Sequence, residues 1–327
     1  MILALALAAA TVATKVDAVA AKAGFAGEIL VGKGDAVLVD KGFGTIAPGG
    51  GARHRAGARW RLASITKQVT AARLVRDAAA GGVPLDAPLA AVPHEPKLGT
   101  VTTRALLQHH SGLANPDATP AGADGVPGFY RATTPDRGYC LSAVAVPGSA
   151  FAYNNCDYIV ASTLFAGSRG DAAGWPRGLT MAKPGETGVP GYVAGRAEPR
   201  FELASFGAAG GLIGTARDVF RFDRALMTGA LLPAAARDEL WKPEGGRSYQ
   251  ALGQWVFPGM LAGCAAPKRI VQRDGEIGGV QTRNYILPDD DLGIVVFTNR
   301  GADDFAIGEI WQRKGFAYDL LSAIACP

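Results

Sequence analysis

Ser64 and Lys67 stand three residues apart in Arg61-Leu-Ala-Ser64-Ile-Thr-Lys67-Gln-Val-Thr-Ala71-Ala, and no other serine of the chain has a lysine three residues on. A serine hydroxyl is a weak nucleophile until a base takes its proton, and a lysine held in a dry cleft can be that base or tune one. On a helix the i, i+3 spacing puts both side chains one turn apart on one face. A serine at a helix mouth also has unpaired backbone N–H groups beside it, which can hold a developing oxyanion. The tetrad alone also reads as an N-cap serine followed by a solvated lysine, so the rest of the chain must decide.

The elements that would position this pair follow from periodicity. Ile65, Val69, Ala72 and Val75 recur at helical spacing, and Gly81-Gly82 ends the run. Upstream, Val16, Val19 and Ala20 share a helical face, and residues 27–32 and 36–41 are short β-branched runs around Lys33-Gly34-Asp35, which reads as a hairpin. Downstream, Thr102 or Thr103 can cap a short helix that ends before Gly112. Its adjacent His109 and His110 diverge by about 100° on a helix, so a helix-end histidine bonding to a loop carbonyl is expected rather than a metal site. Residues 114–138 read as a loop, residues 158–165 as a second apolar helix, and residues 166–204 as a weakly patterned Gly/Pro-rich stretch. Thr215 and Asp218 form a capping box before a stripe of Val219, Phe222, Ala225 and Leu226. Strand-like segments follow at residues 254–257, 282–287 and 292–298, and Phe305 to Ile324 reads as a last helix.

Two N-terminal strands without a third partner are expected to join the C-terminal strands in one antiparallel sheet. The fold class is α/β in the α+β sense: an antiparallel sheet flanked by helices, from residues 14–66 and 205–327, with an inserted, mainly helical lobe over 67–204. A cleft between the two is the default place for a site.

With 327 residues, 48% of them hydrophobic, the chain can bury a substantial core. A net charge of +4 without a long Lys/Arg run argues against nucleic-acid binding. Residues 1–13 read as the apolar core and small-residue end of a secretion signal, although its n-region lacks a Lys or Arg; a misplaced start codon or a buried N-terminal helix is the other reading. The run is too short to span a bilayer, and no later segment resembles a transmembrane helix. Export to the periplasm or medium would let Cys140, Cys156, Cys264 and Cys326 form two disulfides, with Cys140–Cys156 and Cys264–Cys326 the pairs closest in sequence; four buried thiols are the alternative. None lies in a C-x-x-C pair, which argues against a zinc ribbon.

The ordered set Ser64-Ile-Thr-Lys67, Leu106-Leu107-x-His109-x-Ser111-Gly112-Leu113, Tyr153-Asn154-Asn155 and Gly210-Gly211-Leu with Thr215-x-x-Asp218 resembles the serine β-lactamase and penicillin-binding-protein superfamily. It is most similar to the branch of class C β-lactamases, D-alanyl-D-alanine carboxypeptidases, D-aminopeptidases and related carboxylesterases. The resemblance implies an acyl-enzyme on Ser64, with Lys67 beside it and Tyr153 passing the proton to the leaving group. It implies that Asn155 bonds Lys67 and the substrate. It also places Arg273-Asp274-Gly275 on the strand lining the cleft, with the Glu276 N–H completing an oxyanion hole. Gly275 suits a strand whose backbone the substrate must approach closely.

Arg273 departs from the family's Lys or His. It keeps a positive charge that can pair bidentately with a carboxylate, but it cannot exchange protons. Facing the cleft, it favours carboxylate-bearing substrates such as D-Ala-D-Ala peptides or β-lactams; turned to water, it leaves a plain ester site. The stretch between Tyr153 and Gly210 is short for the family, which implies an open site tolerant of varied acyl groups. The resemblance implies no metal and no cofactor, and a small-molecule or peptidoglycan-derived substrate. A non-turnover penicillin- or peptidoglycan-binding sensor of the same fold is the rival reading.

Overall fold

The computed structural model describes residues 2–91, 98–142, 146, 148, 150–165, 176–246 and 248–326, without the side chains of residues 2–8 and 91. Residues 166–175 of the Gly/Pro-rich stretch thus lie outside the described residues.

Strands β1 (Gly27–Lys33), β2 (Ala36–Phe43), β3 (Trp255–Gly259), β4 (Lys268–Ile277), β5 (Val280–Leu287) and β6 (Leu292–Thr298) form one sheet in the order β3-β4-β5-β6-β1-β2. Every neighbouring pair is antiparallel. The expected union of N- and C-terminal strands is the β1–β6 pairing, in register Leu30 to Val295.

The helices are α1 (Ile2–Ala23), α2 (Ile65–Ala79), α3 (Thr103–Leu107), α4 (Arg137–Cys140), α5 (Asn155–Ala161), α6 (Gly207–Gly210), α7 (Ala216–Met227), α8 (Ala234–Leu240) and α9 (Phe316–Ala325). They cover both faces of the sheet. Leu30, Val295 and Phe297 pack toward α2 and α7, while Ile29, Val31, Ile294 and Val296 pack toward α1 and α9. Burial on both faces explains why β1 and β6 are continuous apolar runs instead of alternating ones. On the α2 side the same core continues into α3, α5 and α6, so sheet and helical region share one hydrophobic interior.

Local signals hold at several ends. Thr102 accepts from the Ala105 N–H at the mouth of α3, and Thr215 and Asp218 cap α7 reciprocally. The two disulfides are Cys140–Cys156, which joins α4 to α5, and Cys264–Cys326, which ties the β3–β4 loop to the end of α9. Helix α1 runs without a break past residue 13, and Val16 and Ala20 are buried against the sheet layer. Among the described residues no helix is long and apolar enough to cross a membrane.

Two expectations are corrected. The last helix begins at Phe316, not Phe305, because Gly308, Arg313 and Gly315 adopt positive φ and cannot continue a right-handed helix. Residues 114–138 are not a plain loop: they hold 3₁₀ turns at Pro116–Ala118 and Gly128–Arg131 and the start of α4. Strand β4 carries too few apolar residues to be found by pattern, yet it lies inside the sheet between β3 and β5.

Candidate active site

The chain enters the site along Trp60–Arg61, which pairs with Leu212–Gly214. Ala63 then takes φ +46°, a left-handed conformation that costs a non-glycine residue about 1–2 kcal/mol. That turn sets Ser64 at the mouth of α2, where the Lys67 N–H donates to the Ser64 carbonyl at 3.0 Å. Thr66 and Thr70 fasten the helix to the 208–212 segment: Thr66 Oγ1 accepts from the Leu212 N–H, and Thr70 Oγ1 donates to the Ala208 carbonyl.

Lys67 is fully buried, and its ammonium has three acceptors: Asn155 Oδ1 at 2.6 Å, the Ala209 carbonyl at 2.8 Å and Ser64 Oγ at 3.2 Å. Ser64 Oγ lies 2.5 Å from Tyr153 Oη. Arg273 donates through Nη2 to Tyr153 Oη at 2.9 Å and through Nε to the Ser64 carbonyl at 2.9 Å. It therefore faces the site and is 1% exposed, which removes the reading of a rim side chain turned to water. Its Nη1 is buried without a hydrogen-bond partner.

The electrostatics follow from this crowding. Burial pushes Lys67 down to about 8, and the Arg273 charge pushes the same way, against the pull of Tyr153. Burial alone would raise Tyr153, but the charges of Lys67 and Arg273, with the hydrogen bond to Ser64, bring it below its ordinary value. Both groups are thus lowered and, as neighbours, titrate as a pair.

Asn154, in an extended conformation, is the N-cap of α5, and Asn155 is that helix's first residue; residues 153 and 155 on either side both reach Lys67 or Ser64. Asn154 accepts from the Cys156 N–H and donates to the carbonyls of Leu113 and Ala114. His109 supports the same loop: its ring lies 4.6 Å from that of Tyr153, and its Nδ1 meets Asp157 at 2.8 Å. Burial holds His109 well below and Asp157 well above their ordinary values. Both histidines meet a carboxylate, His110 that of Glu244 at 2.7 Å. Among the described residues no cluster of three or more His, Cys, Asp or Glu could hold a metal.

Gly275 lies where the resemblance put it. A Cβ there would fall 2.8 Å from both the Ser64 nitrogen and the Leu62 carbonyl. Glu276, next on β4, lines the same cleft with its side chain exposed. The cleft measures about 640 Å³. Residues 124–127 contribute to its wall, yet Ser64 and Tyr153 keep partial solvent exposure, so the site is open. Sequence reasoning missed three contributors. Tyr130 accepts from Asn155 Nδ2 at 2.8 Å and donates to Asp117 at 2.5 Å, the Ala209 carbonyl anchors Lys67, and Trp255 stacks on Arg273. Ala209 directly precedes the Gly210-Gly211-Leu motif, whereas no local motif marks Tyr130 or Trp255.

A family model described as Beta-lactamase matches residues 12–174 and 167–315. Among curated proteins none matches the chain. Among solved structures, D-amino acid amidase from Ochrobactrum anthropi SV3, complexed with D-phenylalanine, is similar at TM-score 0.75 and 18% identity over 96% of this chain and 99% of that one. The penicillin binding protein from Bacillus halodurans is similar at TM-score 0.66 and 21% identity, over 95% and 99%. Beta-lactamase/D-alanine carboxypeptidase from Pseudomonas syringae is similar at TM-score 0.67 and 18% identity, over 96% and 98%. At these identities the likeness is one of fold.

Proposed function

The chain belongs to the β-lactamase family, and from that premise we propose that it is a serine hydrolase forming an acyl-enzyme on Ser64 with amide, ester or β-lactam acyl donors. The observation that carries the reading is the continuous hydrogen-bonded set of Ser64, Tyr153, Lys67 and Asn155 in one open cleft. With Lys67 charged, Tyr153 is biased toward its anion and takes the Ser64 proton as the hydroxyl attacks the acyl carbon. The N–H groups of Ser64 and Glu276 hold the oxyanion. Tyr153 then returns the proton to the leaving atom, and water releases the acyl group by the same relay in reverse.

Substrate class is read from the walls. Tyr130, Phe201 and Phe206 make one end of the cleft apolar, which suits a hydrophobic acyl side chain. Asp117 adds a carboxylate to that end and favours an acyl donor with an ammonium group. The similar amidase bound to D-phenylalanine supports the same choice. The unpartnered Nη1 of Arg273 suits a carboxylate on the leaving side, as in a peptide or β-lactam. Two disulfides support export to an oxidising compartment.

The test is intact mass after incubation with a penicillin, a D-aminoacyl amide and a short ester, with product assayed in the same samples. A transient adduct and product, both lost in Ser64→Ala, support the mechanism. A lasting adduct without product identifies a sensor instead, and turnover that persists in Ser64→Ala sinks the reading.

A further inference from the structure

Large apolar side chains exposed among the described residues are few, and most gather in one place. Phe151 (49% exposed), Tyr249 (52%), Met260 (36%) and Trp311 (59%) all line two adjoining hollows of about 290 Å³ each beside the edge strand β3. Trp255 and Phe257, two apart on β3 and therefore on one face, join them. The rings touch in series: Tyr249 to Phe257 at 5.9 Å, then Phe257 to Trp311 at 6.0 Å between centroids. Single exposed apolar residues are ordinary, but a contiguous cluster marks a binding surface.

This surface is continuous with the catalytic cleft. Trp255 lines both the first hollow and the cleft. The Arg273 guanidinium is sandwiched between the rings of Trp255, at 5.1 Å, and Tyr153, at 5.4 Å. Leaving from Ser64, the order is therefore Tyr153, Arg273, Trp255, then the aromatic hollows. The direction has a chemical meaning that rests on the proposed acyl transfer. The leaving atom must come within hydrogen-bond reach of Tyr153 Oη to collect its proton, so whatever leaves lies on the Tyr153 side. The acyl part occupies the opposite end, against Tyr130, Phe201 and Phe206.

We propose that the aromatic hollows beside β3 bind the distal part of the leaving group, and that the substrate carries an apolar ring there, beyond the group held by Arg273. The flat faces of Trp311 and Tyr249 suit a ring offered from solvent, at little cost in side-chain entropy. Each hollow is sized for one ring-bearing group, not for the broad footprint a protein partner needs.

The experiment compares amides that share one acyl group and so give one acyl-enzyme. One releases ammonia; the others release phenylalkylamines with an increasing number of methylenes. The native enzyme should favour one phenylalkyl length over the unsubstituted amide in kcat/KM. Trp311→Ala and Tyr249→Ala should each cut that ratio about tenfold, the effect falling on acylation and not on release of the shared acyl group. Binding of the same amides to the Ser64→Ala variant, followed by tryptophan fluorescence, should show the same length preference and lose it in Ser64→Ala/Tyr249→Ala. A ratio that is flat with chain length, or that the two truncations leave unchanged, overturns the inference. So does concentration-dependent self-association that Trp311→Ala abolishes, which would assign the face to a second copy. Length-dependent binding without Ser64-dependent turnover would instead leave this site standing and sink the hydrolase reading.

Discussion

Replacing Arg273 by Gln removes one of the two cations beside the Tyr153 hydroxyl while keeping a planar amide that can still donate. In the native site the guanidinium reaches Tyr153 Oη at 2.9 Å, and its charge acts on both members of the Lys67–Tyr153 pair. The two consequences have the same sign. Arg273 favours the Tyr153 anion, so its loss raises Tyr153; it disfavours the Lys67 ammonium, so its loss raises Lys67 as well. On the proposed mechanism the acylating form has lost one proton from the pair, so the acid limb of kcat/KM should lie near the Lys67 value of about 8. Without Arg273 this limb moves to higher pH. A charge this close shifts an acid by about 1–3 pH units, and each unit lowers kcat/KM about tenfold at a fixed pH below the limb. Arg273→Lys retains the charge and should leave the limb near its native place. The assay is kcat/KM for an uncharged ester from mildly acidic to alkaline pH, so that no substrate carboxylate confounds the result. If Arg273→Gln lowers the rate by one factor at every pH with the limb unmoved, Arg273 serves geometry alone and the electrostatic reasoning fails.

Tyr153→Phe keeps the ring against His109 but removes the proton carrier, so single-turnover acylation should slow about a hundredfold or more with unfolding unchanged; a loss below tenfold would assign the base to Lys67. Gly275→Ala places a methyl 2.8 Å from the Ser64 nitrogen and the Leu62 carbonyl, so the strand must retreat and kcat/KM should collapse in a protein that still unfolds cooperatively. Native activity in that variant would mean that β4 does not set the oxyanion geometry. Replacing Cys140 and Cys156 by Ser opens a link with a sequence separation of 16, which for a loop of that size is worth about 3 kcal/mol. The Tm should fall, and activity should be lost at lower temperature than secondary structure, because Cys156 adjoins Asn155; an unchanged Tm would show the link to be dispensable.

How far the site can be read from the chain depends on how each contact is made. Ser64 and Lys67 are joined by one helical turn, and Tyr153 and Asn155 by the single extended N-cap residue Asn154, so their relation is local and legible. Ala209, Tyr130 and Trp255 reach the site only through tertiary packing, and for Tyr130 and Trp255 nothing near them in sequence marks it. Strand β4 is hidden for a different reason. Of its polar side chains Gln272 and Arg273 are buried, and each finds partners: Gln272 donates to Asp274 on the same strand at 2.9 Å, Asp274 in turn pairs with Arg283 at 3.2 Å, and Arg273 donates through Nη2 and Nε to Tyr153 and the Ser64 carbonyl. Pattern reading takes such a segment for a loop because it assumes that buried strands are apolar. The pairing with β3 runs from Gly259–Lys268 to Trp255–Gln272, and from Arg273 onward that edge of β4 turns to the mouth of α2. A fully apolar strand with an open edge would invite pairing with another chain. A polar one whose charges are already engaged can leave its backbone free for a substrate. The segment that breaks the local rule for a strand is therefore the one the proposed chemistry needs.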